Sequence, residues 1–213
     1  MKVDEWLNFF RNHPEKKLFS LSDLVQLTGE NKASLSVQLT RLVKANIINR
    51  AAQVWYENPF NTPSFEEIAM VARYPSYLSL EYALSKHGVL SQMVYTITLV
   101  TTKLPYTYKT KQSVYEYHQI SPSLFWGYQK EGTVLTAEPE KALLDLIHIR
   151  VVNNGELKID GLFSLVNDMD VSMFNVKKLY QYSKRFSSKT REICSSLNFF
   201  KKKIKKDFLF HDL

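Results

Sequence analysis

The chain has 213 residues, 45% of them hydrophobic, and a formal net charge of +7. This length suits one large or two small domains, and the apolar content is high enough to build their cores. A single cysteine, Cys194, excludes an internal disulfide framework and a cysteine-rich zinc site. The acidic start of the chain and the lack of an apolar run of membrane length predict a reduced, cytoplasmic protein without a membrane segment.

The first predicted elements are three helices. Apolar residues three and four positions apart predict a helix over residues 3–10, which ends before Pro14. Ser20 suits the N-cap of a second helix, and Gly29 suits its left-handed stop. A third helix is predicted from Asn31. Its buried face carries Leu35, Leu39, Leu42 and Val43.

The opposite face of the third helix is short-chained at its start and basic at its end. It carries Ala33, Ser34, Val37, Thr40, Arg41 and Lys44. Such a face can approach a major groove closely and still anchor on phosphate. Residues 31–56 contain no acidic side chain, whereas a merely solvated surface usually mixes both signs. The predicted DNA-binding residues of this region are Lys32, Ser34, Val37, Gln38, Arg41, Lys44 and Arg50.

Two short strands, residues 47–49 and 54–56, are predicted to form a hairpin with residues 50–53 at its tip. Asn46 tolerates the left-handed turn that would precede this hairpin. Three helices followed by such a hairpin predict a winged helix-turn-helix. The tip carries Arg50 as its only charge, so a strong minor-groove contact is not expected. The alternative is a winged helix that binds protein and does not contact DNA.

Two prolines and two asparagines within residues 58–63 disfavour both helix and strand and predict a linker. We therefore expect an α+β protein with a winged helix-turn-helix domain of residues 1–60 and a mixed α/β domain of residues 61–213. After a capping box at Ser64, further helices are predicted over residues 78–86, 138–150, 161–167, 176–185 and 188–196. The predicted strands of this domain span residues 93–101, 113–120 and 133–136.

The positive charge of the chain is concentrated at its C-terminal end. Residues 177–213 carry 11 basic and 3 acidic side chains. The lysine-rich stretch includes Lys201, Lys202 and Lys203, which we predict to contact phosphate without sequence preference. The alternative is a solvated, self-repelling tail.

The second half of the chain also contains four distinctive segments. They are YPSYLSLEYALSKHG at 74–88, YTIT with TTK at 95–103, LFWGY at 124–128 and AEPEKALLDL at 137–146. In this order, after a predicted winged helix, they resemble the AbiEi antitoxins of type IV abortive-infection toxin–antitoxin systems. The resemblance implies an autorepressor that binds inverted repeats in double-stranded operator DNA. It also implies a neighbouring nucleotidyltransferase-like toxin as partner, and we expect a monomer that pairs on DNA.

Catalytic alternatives are weaker. Asp145, Glu156 and Lys158 are the residue types of a magnesium-dependent nuclease, but Asp145 is predicted in mid-helix, whereas such an aspartate usually lies in or ends a strand. The histidines show no metal-binding spacing, and no phosphate-binding loop is present. Glu138, Glu140 and Lys141 are predicted to cap their helix and form local salt bridges. We therefore predict no enzyme, no cofactor and no metal site.

Overall fold

The computed structural model describes residues 1–110, 112–155 and 157–197. The chain divides into two compact units, Met1–Tyr74 and Pro75–Leu213. Each unit has its own β-sheet and its own apolar core, and the predicted α+β class is confirmed. Among the helices of these described ranges, none has both the length and the apolar character needed to cross a membrane.

The first unit consists of four helices and a small antiparallel sheet. Its helices are α1 Val3–Arg11, α2 Leu21–Thr28, α3 Lys32–Lys44 and α4 Phe65–Ala72. Its strands are β1 Leu18–Ser20, β2 Arg50–Ala52 and β3 Trp55–Glu57, in the spatial order β1-β3-β2. The core lies between α1, α2, α3 and the sheet, with Trp6, Phe10, Phe19, Leu24, Leu35 and Leu39 almost fully buried.

Local capping explains where the helices of the first unit begin and end. Ser20 Oγ accepts the N–H of Asp23, and the Asp23 carboxylate accepts the N–H of Ser20, so a reciprocal capping box starts α2. Gly29 ends α2 with a φ of 69°, and Asn31 caps α3 through the N–H of Ala33. The predicted helices of this region are therefore confirmed.

The hairpin after α3 differs from the prediction. The expected strand at residues 47–49 is wrong, because Ile48 is buried in the core and Ile47 N–H bonds back to the Leu42 carbonyl at the end of α3. Asn46 takes the expected left-handed conformation at φ 56° and reverses the chain there. The paired strands start later, at β2, and a turn joins them to β3. Arg50 is therefore the first residue of β2 and does not lie at the tip.

The predicted linker is an integral part of the first unit. The fully buried Asn58 side chain donates hydrogen bonds to the carbonyls of Phe10, His13 and Lys16, at 3.2, 3.0 and 2.9 Å. Beyond it, the Glu67 carboxylate on α4 pairs with Lys17 at 3.0 Å. These contacts place the division of the chain after Tyr74, later than the predicted division at residue 60.

We expect Asn58→Ala to destabilise the first unit by about 2–3 kcal/mol, because the exchange leaves backbone carbonyls without a donor in a water-poor site. Hydrogen exchange of the full chain, followed separately for peptides of each unit, measures this loss. Asn61→Ala is the matched control, because Asn61 is partly exposed and its side chain makes one bond, to the Pro14 carbonyl. Equal protection in both variants would mean that Asn58 does not hold the segment in place.

The second unit is built around a six-stranded mixed sheet. Its strands are β4 Ser76–Leu78, β5 Thr96–Thr101, β6 Tyr106–Lys109, β7 Val114–Gln119, β8 Tyr128–Glu131 and β9 Val134–Ala137, in the order β6-β7-β5-β4-β9-β8. The pairs β5/β7 and β4/β9 are parallel, and the other pairs are antiparallel. Its helices are α5 Leu80–Lys86, α6 Pro139–Leu146, α7 Ile159–Asn167, α8 Val176–Ser183 and α9 Ser188–Ser196.

The predicted elements of this unit are largely confirmed, with shorter bounds. Strands β5, β7 and β9 fall within or beside the three predicted strands, whereas β4, β6 and β8 have three or four residues each and were not predicted. The helix expected to start at Leu78 begins at Leu80, because residues 76–78 form β4. The helix expected over residues 138–150 is α6, which continues as a π-helix over Ile147–Asn153.

Candidate functional site

The exposed face of α3 carries most of the residues predicted to contact DNA. Because Leu35, Leu39 and Leu42 are buried in the core, the opposite side of the helix is turned to solvent. Of the α3 residues predicted to contact DNA, Lys32, Ser34, Val37, Arg41 and Lys44 are exposed, and Val37 is 51% exposed. The helical spacing of the apolar residues therefore placed this face correctly.

Three cations on α3 make no internal ion pair. Lys32 lies at the start of the helix, and Arg41 and Lys44 lie in its last turns. Within the part of the chain that the structure describes, none of their side chains has a hydrogen-bond or ion-pair partner. The helix contains no acidic residue. Its surface therefore keeps positive charge that an anionic ligand such as a phosphate backbone can neutralise.

Gln38 is held within the unit. Its side-chain oxygen accepts the indole N–H of the buried Trp6 at 3.0 Å, and its amide donates to Ser34 Oγ at 3.0 Å and to Glu30. Ser34 is drawn into the same network, although it remains exposed. Gln38 therefore ties α3 to α1, a role that its sequence position did not indicate.

Arg50 turns back onto its own hairpin. Its guanidinium donates to the carbonyl oxygens of Ala52, at 3.3 Å, and of Gln53. The side chain thus stiffens the turn between β2 and β3, and only its remaining N–H groups are available to a ligand. Lys201, Lys202 and Lys203 lie outside the described residues, so their predicted phosphate contacts stay a prediction.

The second unit contains a buried polar cluster formed by Tyr77, Ser79, Lys141 and Asp145. The Lys141 ammonium pairs with Asp145 Oδ1 and donates to the Tyr77 hydroxyl at 2.8 Å. Asp145 Oδ2 accepts hydrogen bonds from the hydroxyls of Tyr77, at 2.9 Å, and Ser79, at 2.8 Å. All four residues are fully buried, so the charged pair is satisfied entirely by protein groups.

Aromatic rings enclose the lysine of this cluster. The Lys141 ammonium lies 5.2 to 5.3 Å from the ring centres of Tyr77, Trp126 and Phe186, within the range of cation–π attraction. Gly127, at φ 76°, passes so close that a Cβ there would lie 3.0 Å from Lys141 Cγ. Burial lowers the pKa of Lys141, an effect that Asp145 opposes. Burial and the nearby Asp145 raise the pKa of the Tyr77 hydroxyl.

The backbone beside the cluster is strained. Leu80, fully buried at the start of α5, has a φ of 54°, which is unusual for a branched side chain. Such a conformation costs about 1–3 kcal/mol and persists only where surrounding contacts fix it. The preceding Ser79 supplies these contacts, because its hydroxyl binds Asp145 and its carbonyl accepts Thr98 Oγ1 at 2.7 Å.

The four distinctive segments of the sequence converge on this cluster. The first supplies Tyr77 and Ser79, the second Thr98, the third Trp126 and Gly127, and the fourth Lys141 and Asp145. These residues are buried or pack on the cluster, so the four segments help to hold this unit together.

The acidic residues at the start of α6 bind more distant parts of the unit than expected. Glu138 accepts hydrogen bonds from Tyr182, at 2.6 Å, and Lys178, at 2.8 Å, both on α8. Glu140 is buried and accepts the N–H of Asn175, which caps α8. Burial alone would raise the pKa of Glu138, but the bonds from Lys178 and Tyr182 lower it. The predicted local salt bridge is found between Lys141 and Asp145, whereas the predicted capping is wrong for Glu138, whose side chain makes no capping hydrogen bond.

The nuclease residues are not available as a set. Both oxygens of Asp145 are occupied by the buried cluster, and Glu156 lies outside the described residues. Lys158 is the residue preceding α7. Burial raises the pKa of the Cys194 thiol to about 12, so this buried cysteine has little thiolate character.

A groove of about 760 Å³ lies between β6, β7 and the π-helix that continues α6. Arg150 on its wall donates to Glu81 Oε2 at 3.1 Å and lies 3.7 Å from Glu116. His118 lies 3.7 Å from the same carboxylate of Glu116. The arginine is therefore already neutralised within the unit, and the groove offers an anion much less than α3 does.

Some residues of the α3 region and of the Lys141 cluster were not predicted from the sequence, because their partners come from distant parts of the chain. Trp6 holds Gln38, and Tyr77 and Ser79 hold Asp145. The one signal in the sequence was the spacing of Lys141 and Asp145, which lie four residues apart on α6. No protein-family model and no curated protein sequence matches the chain, and its function is therefore proposed from these residues.

Proposed function

We propose that the chain is a transcriptional autorepressor and antitoxin whose first unit is a winged helix-turn-helix that binds double-stranded operator DNA through α3. The observation that carries this proposal is the exposed face of α3, with three cations that have no partner among the described residues and no acidic neighbour on the helix. Helices α1, α2 and α3 precede the β2/β3 hairpin, and β1 completes the sheet. This order of elements supports the winged-helix assignment.

In the proposed complex, α3 enters the major groove, which at about 12 Å admits one α-helix. Arg41 and Lys44 contact the phosphate backbone, and residues nearer the middle of the helix face the bases. Two copies bind the two halves of an inverted repeat, because a two-fold symmetric site matches a symmetric pair of proteins. In this proposal the free protein is a monomer, and two copies pair on DNA.

The antitoxin part of the proposal concerns the second unit. It is supported by the resemblance of its four segments to AbiEi antitoxins. All four segments pack on the buried cluster around Lys141. The proposed partner is a nucleotidyltransferase-like toxin encoded beside this chain. No catalytic role is proposed for the unit, because its buried carboxylate Asp145 is fully engaged by neighbouring side chains.

A second candidate for α3 is a protein ligand. The exposed Val37 favours it, because apolar groups are common at the centres of protein interfaces. Such a partner would have to be acidic to neutralise Lys32, Arg41 and Lys44. A gel shift with the upstream region of the gene separates the two candidates.

We expect Arg41→Ala to weaken binding to operator and unrelated duplexes by similar factors, because it removes a phosphate contact. The slope of log affinity against log salt should fall by about 0.9. Arg11→Ala is the matched control, since Arg11 is an exposed arginine on α1. Wild-type affinity and salt slope in Arg41→Ala would contradict the proposed role of α3.

A further inference from the structure

We infer, resting on the proposed function, that α3 distinguishes DNA sequences mainly through the C5-methyl groups of thymine. Operator half-sites would then present thymines to the middle of the helix. Two observations lead to this conclusion: the groups that the exposed face of α3 offers to a base edge, and the groups that it lacks.

The middle of the face offers methyl groups. Ala33, Val37 and Thr40 follow one another at i, i+4 and i+7, and all three are exposed. The Thr40 hydroxyl donates to the Ser36 carbonyl at 2.7 Å, so its single hydrogen is used within the helix. Its γ-methyl remains for contact with a base. The row of three side chains therefore presents methyl groups, and no free hydroxyl hydrogen, where it would meet the base edges.

The face lacks the amide that recognises adenine. Asparagine or glutamine binds adenine through paired hydrogen bonds. Gln38 is the only amide within α3, and its oxygen holds the indole N–H of Trp6 while its nitrogen holds Ser34 and Glu30. Withdrawing Gln38 would leave the N–H of the buried Trp6 unpaired, which is unfavourable. Gln38 is therefore not free to contact a base.

The cations lie at the two ends of the apolar row. Lys32 precedes Ala33, while Arg41 and Lys44 follow Thr40. Phosphates flank the groove and bases form its floor, so cations at the helix ends suit phosphates and an apolar middle suits bases. Among the four bases, thymine alone presents a methyl group in the major groove. Alanine, valine and the threonine methyl therefore match thymine better than any other base.

The test compares duplexes that differ only in this methyl group. A bound duplex is obtained by gel shift on the upstream region or by selection from a random pool, and each thymine is replaced in turn by uracil. We expect the affinity to fall by roughly fourfold for each contacted methyl, the effect of one buried methyl-sized group. The effect should occur at a few adjacent positions in each half-site.

Variants of the protein assign this effect to α3. Val37→Ala should reduce the ratio of thymine to uracil affinity towards one. Val3→Ala should leave that ratio unchanged, because Val3 is also an exposed valine but lies on α1. Arg41→Ala should lower both affinities and preserve the ratio.

Each outcome bears on a different conclusion. Equal binding of thymine and uracil duplexes, or an unchanged ratio in Val37→Ala, would overturn the methyl inference and leave DNA binding in place. A requirement for guanine that Arg41→Ala removes would also overturn it, since Arg41 would then contact a base. No binding of any unmodified duplex would contradict the proposed function itself.

Discussion

Asp145→Ala will destabilise the second unit by about 3–5 kcal/mol, the usual effect of removing one partner from a buried ion pair. The exchange leaves the Lys141 ammonium without its counterion, and the hydroxyls of Tyr77 and Ser79 lose their acceptor. Hydrogen exchange in the full-length chain should show lost protection in peptides of the second unit. Asp168→Ala is the control, because Asp168 is an exposed aspartate of the same unit.

A double-mutant cycle tests whether the effect comes from the pair. Lys141→Met alone should also cost about 3–5 kcal/mol, since it leaves the Asp145 carboxyl group buried without its partner. The cycle also includes Asp145→Leu alone. Lys141→Met combined with Asp145→Leu removes both charges and should be less destabilised than either of these single variants. Additive losses in the double variant would show that Lys141 and Asp145 are not coupled, contrary to the observed contact.

The predictable part of the fold is the part fixed by local contacts. Helix α2 begins after Ser20 and ends at Gly29, and both caps depend on contacts with residues only a few positions away. The sequence alone therefore placed this helix correctly. Strands β6 and β8 have four residues each, lie at the sheet edges and are mostly exposed, so they show no clear alternation. Their pairing is set by the neighbouring strands, which no local pattern reveals.

The division of the chain was harder to predict for a related reason. The composition of residues 58–63 is that of a linker, yet the Asn58 side chain binds three carbonyls that the fold gathers from residues 10–16. The candidate site shows the same contrast between features set by local sequence and contacts between distant residues. Helical periodicity found the exposed cations of α3, but the tie between Gln38 and Trp6 depends on how α1 packs.

The last prediction is that the two proposed activities, repression and toxin neutralisation, separate between the two units. The cations of α3 lie in Met1–Tyr74, whereas the Lys141 cluster lies wholly within the other unit, and each unit has its own core. Arg41→Ala should therefore weaken repression of the operon and leave protection from the toxin intact. Asp145→Ala should have the reverse effect, because it weakens the second unit and leaves α3 unchanged.

Two measurements on the same variants decide this point. A reporter driven by the upstream region measures repression, and growth rescue against the neighbouring toxin, expressed from an unrelated promoter, measures protection. A fragment of residues 1–74 should bind operator DNA better than one of residues 1–60, because the shorter fragment lacks α4 and its Lys17–Glu67 ion pair. If growth rescue requires an intact Arg41 even with the unrelated promoter, DNA binding and neutralisation are a single activity. The assignment of repression to the first unit and of neutralisation to the second would then be wrong.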